Sequence, residues 1–305
     1  MFHFRSNGKL LLTGEYLVLK GANALALPTK LGQDLRIEAS VEPQIHWTST
    51  VKGQGWFRAD FNLHDFALIA SNDMEIAKKL QEILQTAMEL NPQFLYKSQG
   101  VEVESNIEFD RNWGLGSSST LVSNVAQWAN CDPYLLNRMV FKGSGYDIAC
   151  ATSATPLIYH LKNGIPQVEA VSFQPEFKNQ LWFIWLNEKQ NSRNEIARFN
   201  QNLPYYSEIN AINEITAEML NCADLASFQG LMEKHEDIIS RLIQMPTVRQ
   251  THFSDFNGSL KSLGAWGGDF ILAASDWSEN DLKNYFKQKG FITVLNYDQL
   301  IKTLA

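Results

Sequence analysis

The sequence predicts an α+β protein, and three observations carry that prediction. Short runs with strand character fill much of the first 110 residues, Asp73 to Leu90 repeats its apolar residues at helical spacing, and the second half alternates long helical patterns with short apolar strands. Taken in order, Lys9 to Leu19 and Asn23 to Pro28 are two β-like runs separated by Lys20-Gly21-Ala22, a hairpin-like break, after a polar N-terminal loop. Asp34 to Ser40, Gln44 to Ser49 and Gln54 to Phe61 are further strand candidates. In the run Val101, Val103, Ser105, Ile107, Phe109 the odd positions share one face. Between them Met74, Ala77, Leu80, Ile83, Leu84, Ala87 and Met88 mark a helix capped by Asn72 or Asp73, so the first half is a helix on a mostly antiparallel sheet.

From Ser117 the apolar positions Leu121, Val122, Val125, Ala126 and Ala129 mark a helix fed directly by a glycine loop, and Asp132 to Phe141 reads as a second, shorter one. Pro156 to His160, Gln167 to Ser172 and Leu181 to Leu186 follow as strands. Tyr206 to Cys222 and Leu225 to Ile243 are long helical patterns, followed by strand Asp269 to Ala274, helix Glu279 to Lys289 and strand Phe291 to Asn296. An α+β second half therefore starts near residue 175, which divides the chain into 1–174 and 175–305.

The 305 residues, 45% hydrophobic and 19% charged, suffice for a full-sized core. A net charge of −7 with no basic run argues against nucleic acid as a partner. Apolar stretches fall short of the roughly 18 to 20 residues of a membrane span. The N-terminus turns polar too soon for a signal peptide. Cys131, Cys150 and Cys222 form no paired framework and are expected to be buried thiols, and the six histidines show no metal-ligand spacing. A cytoplasmic location and no membrane partner are the expectations that follow.

Asn112-Trp113-Gly114-Leu115-Gly116-Ser117-Ser118-Ser119-Thr120 joins two glycines to four hydroxyls at a helix start. Free N–H groups and the positive end of the helix dipole favour phosphate there, and a hydroxyl can reach phosphate or Mg²⁺. The loop is neither a Walker A sequence nor a dinucleotide fingerprint, and alone it is equally a capped helix. Lys9 and Glu15 would share strand parity if the strand stays regular. They could neutralise phosphate and hold a neighbouring group, or simply be exposed charges. Asp147, in Gly143-Ser144-Gly145-Tyr146-Asp147-Ile148-Ala149, could be a cap or a positioned base. Gly264-Ala265-Trp266-Gly267-Gly268-Asp269 enters an apolar run either as a tight hairpin or as backbone brought close to a ligand.

In this order the motifs resemble those of the GHMP kinases, the superfamily of galactokinase, homoserine kinase, mevalonate kinase and phosphomevalonate kinase. The first motif resembles Gly8 to Leu19 with Gly21, Ala24 and Pro28, the second Gly114 to Ser119, and the third Gly264 to Asp269. Within the superfamily the segment around Asp147 and Gly267-Gly268-Asp269 look most like phosphomevalonate and mevalonate kinases, and Asn187 to Arg193 is more weakly similar to their Ser/Thr-rich segment.

The resemblance implies a two-domain fold, with an N-terminal domain like ribosomal protein S5 domain 2 and a ferredoxin-like C-terminal domain. It implies ATP and Mg²⁺ as cofactors, a small hydroxylated or phosphorylated substrate, best guessed as mevalonate or phosphomevalonate, and it allows a homodimer. By residue it implies Lys9 and Asp147 as catalytic, and Gly114, Leu115, Gly116, Ser117, Ser118, Ser119, Gly264, Gly267 and Gly268 as nucleotide-binding. Glu15, Ser144, Gly145 and Arg193 would contact substrate, and Ser118 would ligate the metal.

One segment and three single positions depart from the family pattern. Phe109 to Trp113 replaces a Pro-rich lead, and Trp266 replaces a glycine. Leu136 stands where mevalonate kinases place a metal-binding glutamate, and Tyr16 stands where mevalonate kinase has a histidine. An ATP-dependent decarboxylase of the same superfamily and a non-catalytic ligand-binding protein on this fold are the alternatives.

Overall fold

The computed structural model describes residues 1–188, 199, 204–264, 266 and 268–303. The chain forms two compact units whose segments interleave: Met1–Gly8, Leu31–Arg111 and Leu115–Thr152 make the first, and Lys9–Lys30, Asn112–Gly114 and Ser153–Ala305 the second.

In the first unit, β1 (Phe2–Leu11) contributes its opening residues and β2 (Ala24–Ala39) its second half. With β3 (Gln44–Val51), β4 (Gln54–Asn62), β5 (Leu68–Ser71) and β6 (Val101–Ile107), the sheet order is β5-β4-β3-β6-β2. The β3–β6 pair is parallel, and the β2–β6, β3–β4 and β4–β5 pairs are antiparallel. In β6 the alternation falls as its sequence dictates, with Val101, Val103, Ser105 and Ile107 buried and Glu102 and Glu104 exposed.

Helix α1 (Met74–Leu90) starts where the Asp73 carboxylate accepts the N–H groups of Glu75 and Ile76. Its buried stripe is Ala77, Leu80, Ile83, Leu84 and Ala87. Each fully buried Leu or Ile adds about 1.5–3 kcal/mol. Helices α2 (Ser117–Ala129), α3 (Pro133–Val140, capped by Asp132) and α4 (Tyr146–Thr152) complete a core that includes Trp47, Phe57, Phe61, Val125 and Leu136.

In the second unit β2 pairs through Ala24–Ala26 with β7 (Leu157–Lys162), which pairs in turn with β8 (Ile165–Ala170). A further sheet has the order β10-β11-β9-β12, from β9 (Leu181–Trp185), β10 (Ser259–Leu263), β11 (Phe270–Ala274) and β12 (Val294–Asn296). The β10–β11, β11–β9 and β9–β12 pairs are antiparallel. Helices α5 (Tyr206–Leu220), α6 (Leu225–Ile243), α7 (Val248–His252), α8 (Glu279–Gln288) and α9 (Tyr297–Leu300) accompany it. Phe253, Phe256 and Phe286 pack together in this core, Phe286 edge-on to Phe253 and tilted against Phe256 with ring centroids 5.3 and 5.5 Å apart.

Several expectations need correction. The strand expected over Lys9–Leu19 begins at Phe2, ends at Leu11 and gives way to a 3₁₀ turn, Leu17–Lys20. Glycine at 14 makes this possible: its φ is +87°, and a Cβ there would lie 2.9 Å from both the Ala24 Cβ and the Asn23 carbonyl. The polar start is strand because its polar side chains find partners: Ser6 Oγ donates to Asn124 Oδ1 at 2.8 Å, and Asn7 Nδ2 to the Cys150 carbonyl at 3.4 Å. Asn23–Pro28 and Asp34–Ser40 belong to one strand that passes through Pro28. The last strand is confined to Val294–Asn296, and Cys150 is fully buried whereas Cys131 and Cys222 are half-buried. No helix among the described residues is long and apolar enough to cross a membrane.

Candidate active site

In the first unit the glycine loop enters α2 through Gly116, whose φ of 88° is left-handed and whose place at the helix start receives no side-chain cap. The first-turn N–H groups are thus left to a ligand or solvent, with the positive dipole end behind them. Leu115 is fully buried and anchors the loop, while Ser117 is half-buried and Ser118 exposed. Thr120 Oγ1 donates to Gln33 Oε1 at 2.5 Å and Asn124 Nδ2 to the Gln33 carbonyl at 2.9 Å, which pins α2 to β2.

Ser119 is buried, and its hydroxyl donates to one oxygen of Asp147. The other Asp147 oxygen accepts the Ile148 N–H at 3.0 Å. Asp147 itself is half-buried in the first turn of α4, behind the half-buried Ser144 and the buried Gly145 (φ 94°). The nearby Tyr134 phenol is pushed up to about 12, first by burial and then by Cys150, Asp132 and Asp147, so it stays protonated at neutral pH. The structure therefore couples the third serine of the loop, rather than Ser118, to the carboxylate.

In the second unit three motifs meet at Gly114. Lys9, half-buried near the end of β1, donates from Nζ to the Gly114 carbonyl at 2.8 Å. On the Cα side, a Cβ at Gly114 would lie 2.3 Å from Cγ and Oδ2 of Asp269. Trp113 packs edge-on against Phe270, ring centroids 5.6 Å apart. Gly264 is half-buried with open space at its Cα, and Gly268 is buried. Trp266 is buried, donating its backbone N–H to the Tyr16 hydroxyl at 3.2 Å and its indole N–H to the Pro246 carbonyl at 2.8 Å. Gly267 and Arg193 lie outside the described residues.

Glu15 is not on a strand with Lys9. It lies past the end of β1, 3% exposed, where Lys261 Nζ donates to Oε1 at 2.5 Å. Lys261, 0% exposed on β10, also reaches the Ser262 carbonyl at 2.9 Å and stands 4.0 Å from Glu236. His235 accepts the Gly14 N–H on Nε2 at 3.1 Å, so its ring is neutral with the proton on Nδ1. Burial, and then Lys261, hold its pKa well below the ordinary value. Burial pushes the Glu15 carboxyl up against the pull of Lys261, and it takes the Glu236 carboxyl to about 8. Glu236 is thus held protonated at neutral pH, with its oxygens on the Ser262 N–H and hydroxyl at 3.0 and 3.3 Å. Sequence reasoning missed Lys261, Glu236 and the role of His235. The signal available was a lysine inside the run Leu260-Lys261-Ser262-Leu263.

No family model matches the chain, and no curated protein matches it by sequence. Solved structures do. The mevalonate kinase of Methanococcus jannaschii superposes with a TM-score of 0.73 at 16% identity, over 99% of this chain and 98% of that one. The Streptococcus pneumoniae phosphomevalonate kinase, solved with phosphomevalonate and AMPPNP, gives 0.72 at 18% identity over 97% and 100%. The Lactococcus lactis galactokinase, solved with galactose, gives 0.62 at 12% identity over 94% and 88%. The chain has the GHMP-kinase fold. At these identities the likeness establishes architecture, and chemistry has to be argued from the side chains.

Proposed function

We propose that the chain is an ATP-dependent kinase of the GHMP type, acting on a small hydroxylated metabolite, with mevalonate or phosphomevalonate the favoured acceptor. The observation that carries this reading is the Asp147 carboxylate bonded to Ser119 at the uncapped start of α2. It puts a proton acceptor beside a helix end suited to phosphate. In this reading residues 1–174 and 175–305 are the two kinase domains.

Phosphoryl transfer requires mainly alignment and charge neutralisation. The loop 114–119 holds the phosphates through its N–H groups. Asp147 takes the acceptor hydroxyl's proton as the new P–O bond forms and the bond to the β-phosphate oxygen breaks, releasing ADP. The ammonium of Lys9 offsets charge on the transferred group. Gly264, Gly267 and Gly268 line the nucleotide, while Ser144, Gly145 and Arg193 contact the acceptor. Glu15, hydrogen-bonded to Lys261, holds its loop in place.

Among the described residues no group of three or more His, Cys, Asp or Glu assembles into a metal cluster. The exposed Ser118 hydroxyl is a hard-oxygen donor that fits Mg²⁺, which takes most of its remaining oxygens from phosphate and water. Bound there, Mg²⁺ would neutralise phosphate charge.

The test is ADP formation with Mg²⁺ and ATP against mevalonate, phosphomevalonate, diphosphomevalonate, homoserine and galactose, with Asp147→Asn as control. Turnover with one acceptor that depends on Asp147 and releases no CO₂ supports a kinase and names its substrate. CO₂ release marks a decarboxylase. No turnover and no ATP binding would replace the proposal with a non-catalytic ligand-binding protein.

A further inference from the structure

We infer that Asp269 is a positioning residue for the glycine loop, acting through Gly114, and that Glu15 and Tyr16 hold the turn that presents it. The inference rests on the proposed role of that loop in nucleotide binding. Its first support is steric: a Cβ on Gly114 would fall 2.3 Å from Cγ and Oδ2 and 2.6 Å from Oδ1, so the whole carboxyl group packs on the glycine Cα. Gly114 also sits at φ +67°, a conformation that only glycine adopts without cost. With Lys9 Nζ on its carbonyl, Gly114 is gripped from two directions by side chains far from it in sequence.

The second support is how Asp269 is held. Its own φ of 53° is left-handed, uncommon for a residue with a Cβ, and its backbone is fixed on both sides. Its N–H donates to the Glu188 carbonyl at 2.8 Å, and its carbonyl accepts the Leu186 N–H at 2.9 Å. A strained conformation clamped in this way marks a residue whose side chain has to be aimed.

The third support is the other end of the same turn. Glu15 is fixed by Lys261 at 2.5 Å, and Tyr16 accepts the Trp266 N–H at 3.2 Å. Trp266 is tied in turn to Pro246 through its indole at 2.8 Å. Glu15 also accepts a hydrogen bond from the Gly264 backbone, so Gly264 and Trp266 are each held by a residue of the first motif, and Asp269 abuts the second motif at Gly114. A loop set before the ligand arrives avoids paying its ordering entropy on binding, so the effect belongs in nucleotide affinity rather than in turnover.

The test compares Asp269→Ala with Asp269→Asn, which keeps the shape of the carboxyl group. Amide hydrogen exchange over residues 112–118 is followed without nucleotide, and steady-state kinetics are measured with ATP varied. Asp269→Ala should speed exchange of the loop amides about tenfold and raise KM for ATP about tenfold with kcat within about twofold, while Asp269→Asn stays near the native protein. Tyr16→Phe should shift both readouts the same way by about threefold.

Unchanged loop exchange in Asp269→Ala overturns the inference. So does an equal change in the Asn variant, or a fall in kcat with KM unmoved. Should Asp269→Ala not fold, Asp269→Ser is judged by the same criteria. The exchange arm needs no ATP, so native protein that fails to turn over ATP would sink the kinase proposal while leaving the positioning of Gly114 to be decided by exchange.

Discussion

Two carboxylates singled out by their motifs, Asp147 and Glu15, sit in opposite surroundings. Asp147 is half-buried, its partner Ser119 is 28 residues away, and its hydrogen bonds come from a hydroxyl and a backbone N–H. Glu15 is 3% exposed and its partner Lys261 is 246 residues away. An accessible carboxylate with neutral donors can take up and release a proton during a reaction. One locked to a buried ammonium is committed to holding structure, because moving either charge would leave the other unpaired in a low dielectric. The difference separates a group available for chemistry from a group that keeps the chemistry's frame in place.

The comparison is tested most strongly at Asp147. Asp147→Asn should lower kcat by about 10²–10⁴-fold, with the ATP dissociation constant nearly unchanged and thermal stability nearly native. Steady-state kinetics and equilibrium ATP binding check this. A variant that loses stability instead of turnover would place Asp147 with the structural group.

Lys261→Met should do the reverse. Removing the ammonium leaves the Glu15 carboxylate buried without its counter-charge, at a cost of about 3–5 kcal/mol. Urea unfolding measures the loss, and adding Glu15→Gln to the same chain should recover part of it. A loss below about 1 kcal/mol would mean that the pair behaves like a solvated surface bridge.

What was legible in the sequence follows the same division. Strands β3, β4 and β6 of the first sheet, helices α1 to α3 and the glycine loop were readable because their signals are local: alternation in β6, the 3.6-residue stripe and Asp73 cap of α1, and glycine before a run of hydroxyls. The opening of β1 was not, because Ser6 and Asn7 look like loop residues until Asn124 and Cys150 supply their hydrogen bonds. Nor was β10: Ser259, Lys261 and Ser262 break its apolar pattern, and only Glu233, Glu15 and Glu236, contributed by other elements, make their burial affordable. At the site, Gly114 and Lys9 could be named separately, but their contact spans 105 residues and Asp269 gave no sign that it packs on that glycine.

A smaller effect is expected from pH. Glu236 has an ordinary value of 4.5 and is raised to about 8 in the fold. The folded chain therefore keeps a proton that the unfolded chain has lost, and the stability this gives is full below about 4.5 and disappears as pH rises through about 8. One proton corresponds to about 1.4 kcal/mol per pH unit. His235 acts with the opposite sign. Its pKa is held well below the ordinary 6.5, so it favours the fold above that value and penalises it as pH falls. Below about 6.5 the slope of His235 opposes that of Glu236, and between about 6.5 and 8 the decline from Glu236 is no longer opposed by it. Lys261 and Glu15 face both groups, and the raised carboxyl of Glu15 acts in the same sense as Glu236. Glu236→Gln should flatten the decline in urea-derived stability from pH 6.5 to 8, and an unaltered slope would transfer it to Glu15.

The smallest effect tests the local, readable side of the comparison. Asp73 caps α1 by accepting the N–H groups of Glu75 and Ile76, both at 3.1 Å; Asp73 and Glu75 are exposed and Ile76 is half-buried. Asp73→Ala should cost about 1 kcal/mol, and Asp73→Asn, which keeps an acceptor, less than half of that. The reason for the small figure is that water replaces the lost partner at an exposed helix end, whereas nothing replaces the counter-ion of a buried carboxylate. Urea unfolding of the two variants decides it. A loss as large as that from Lys261→Met would mean that the exposed cap holds up more of the first unit than its two hydrogen bonds account for, and that solvent access is not what separates the two kinds of carboxylate.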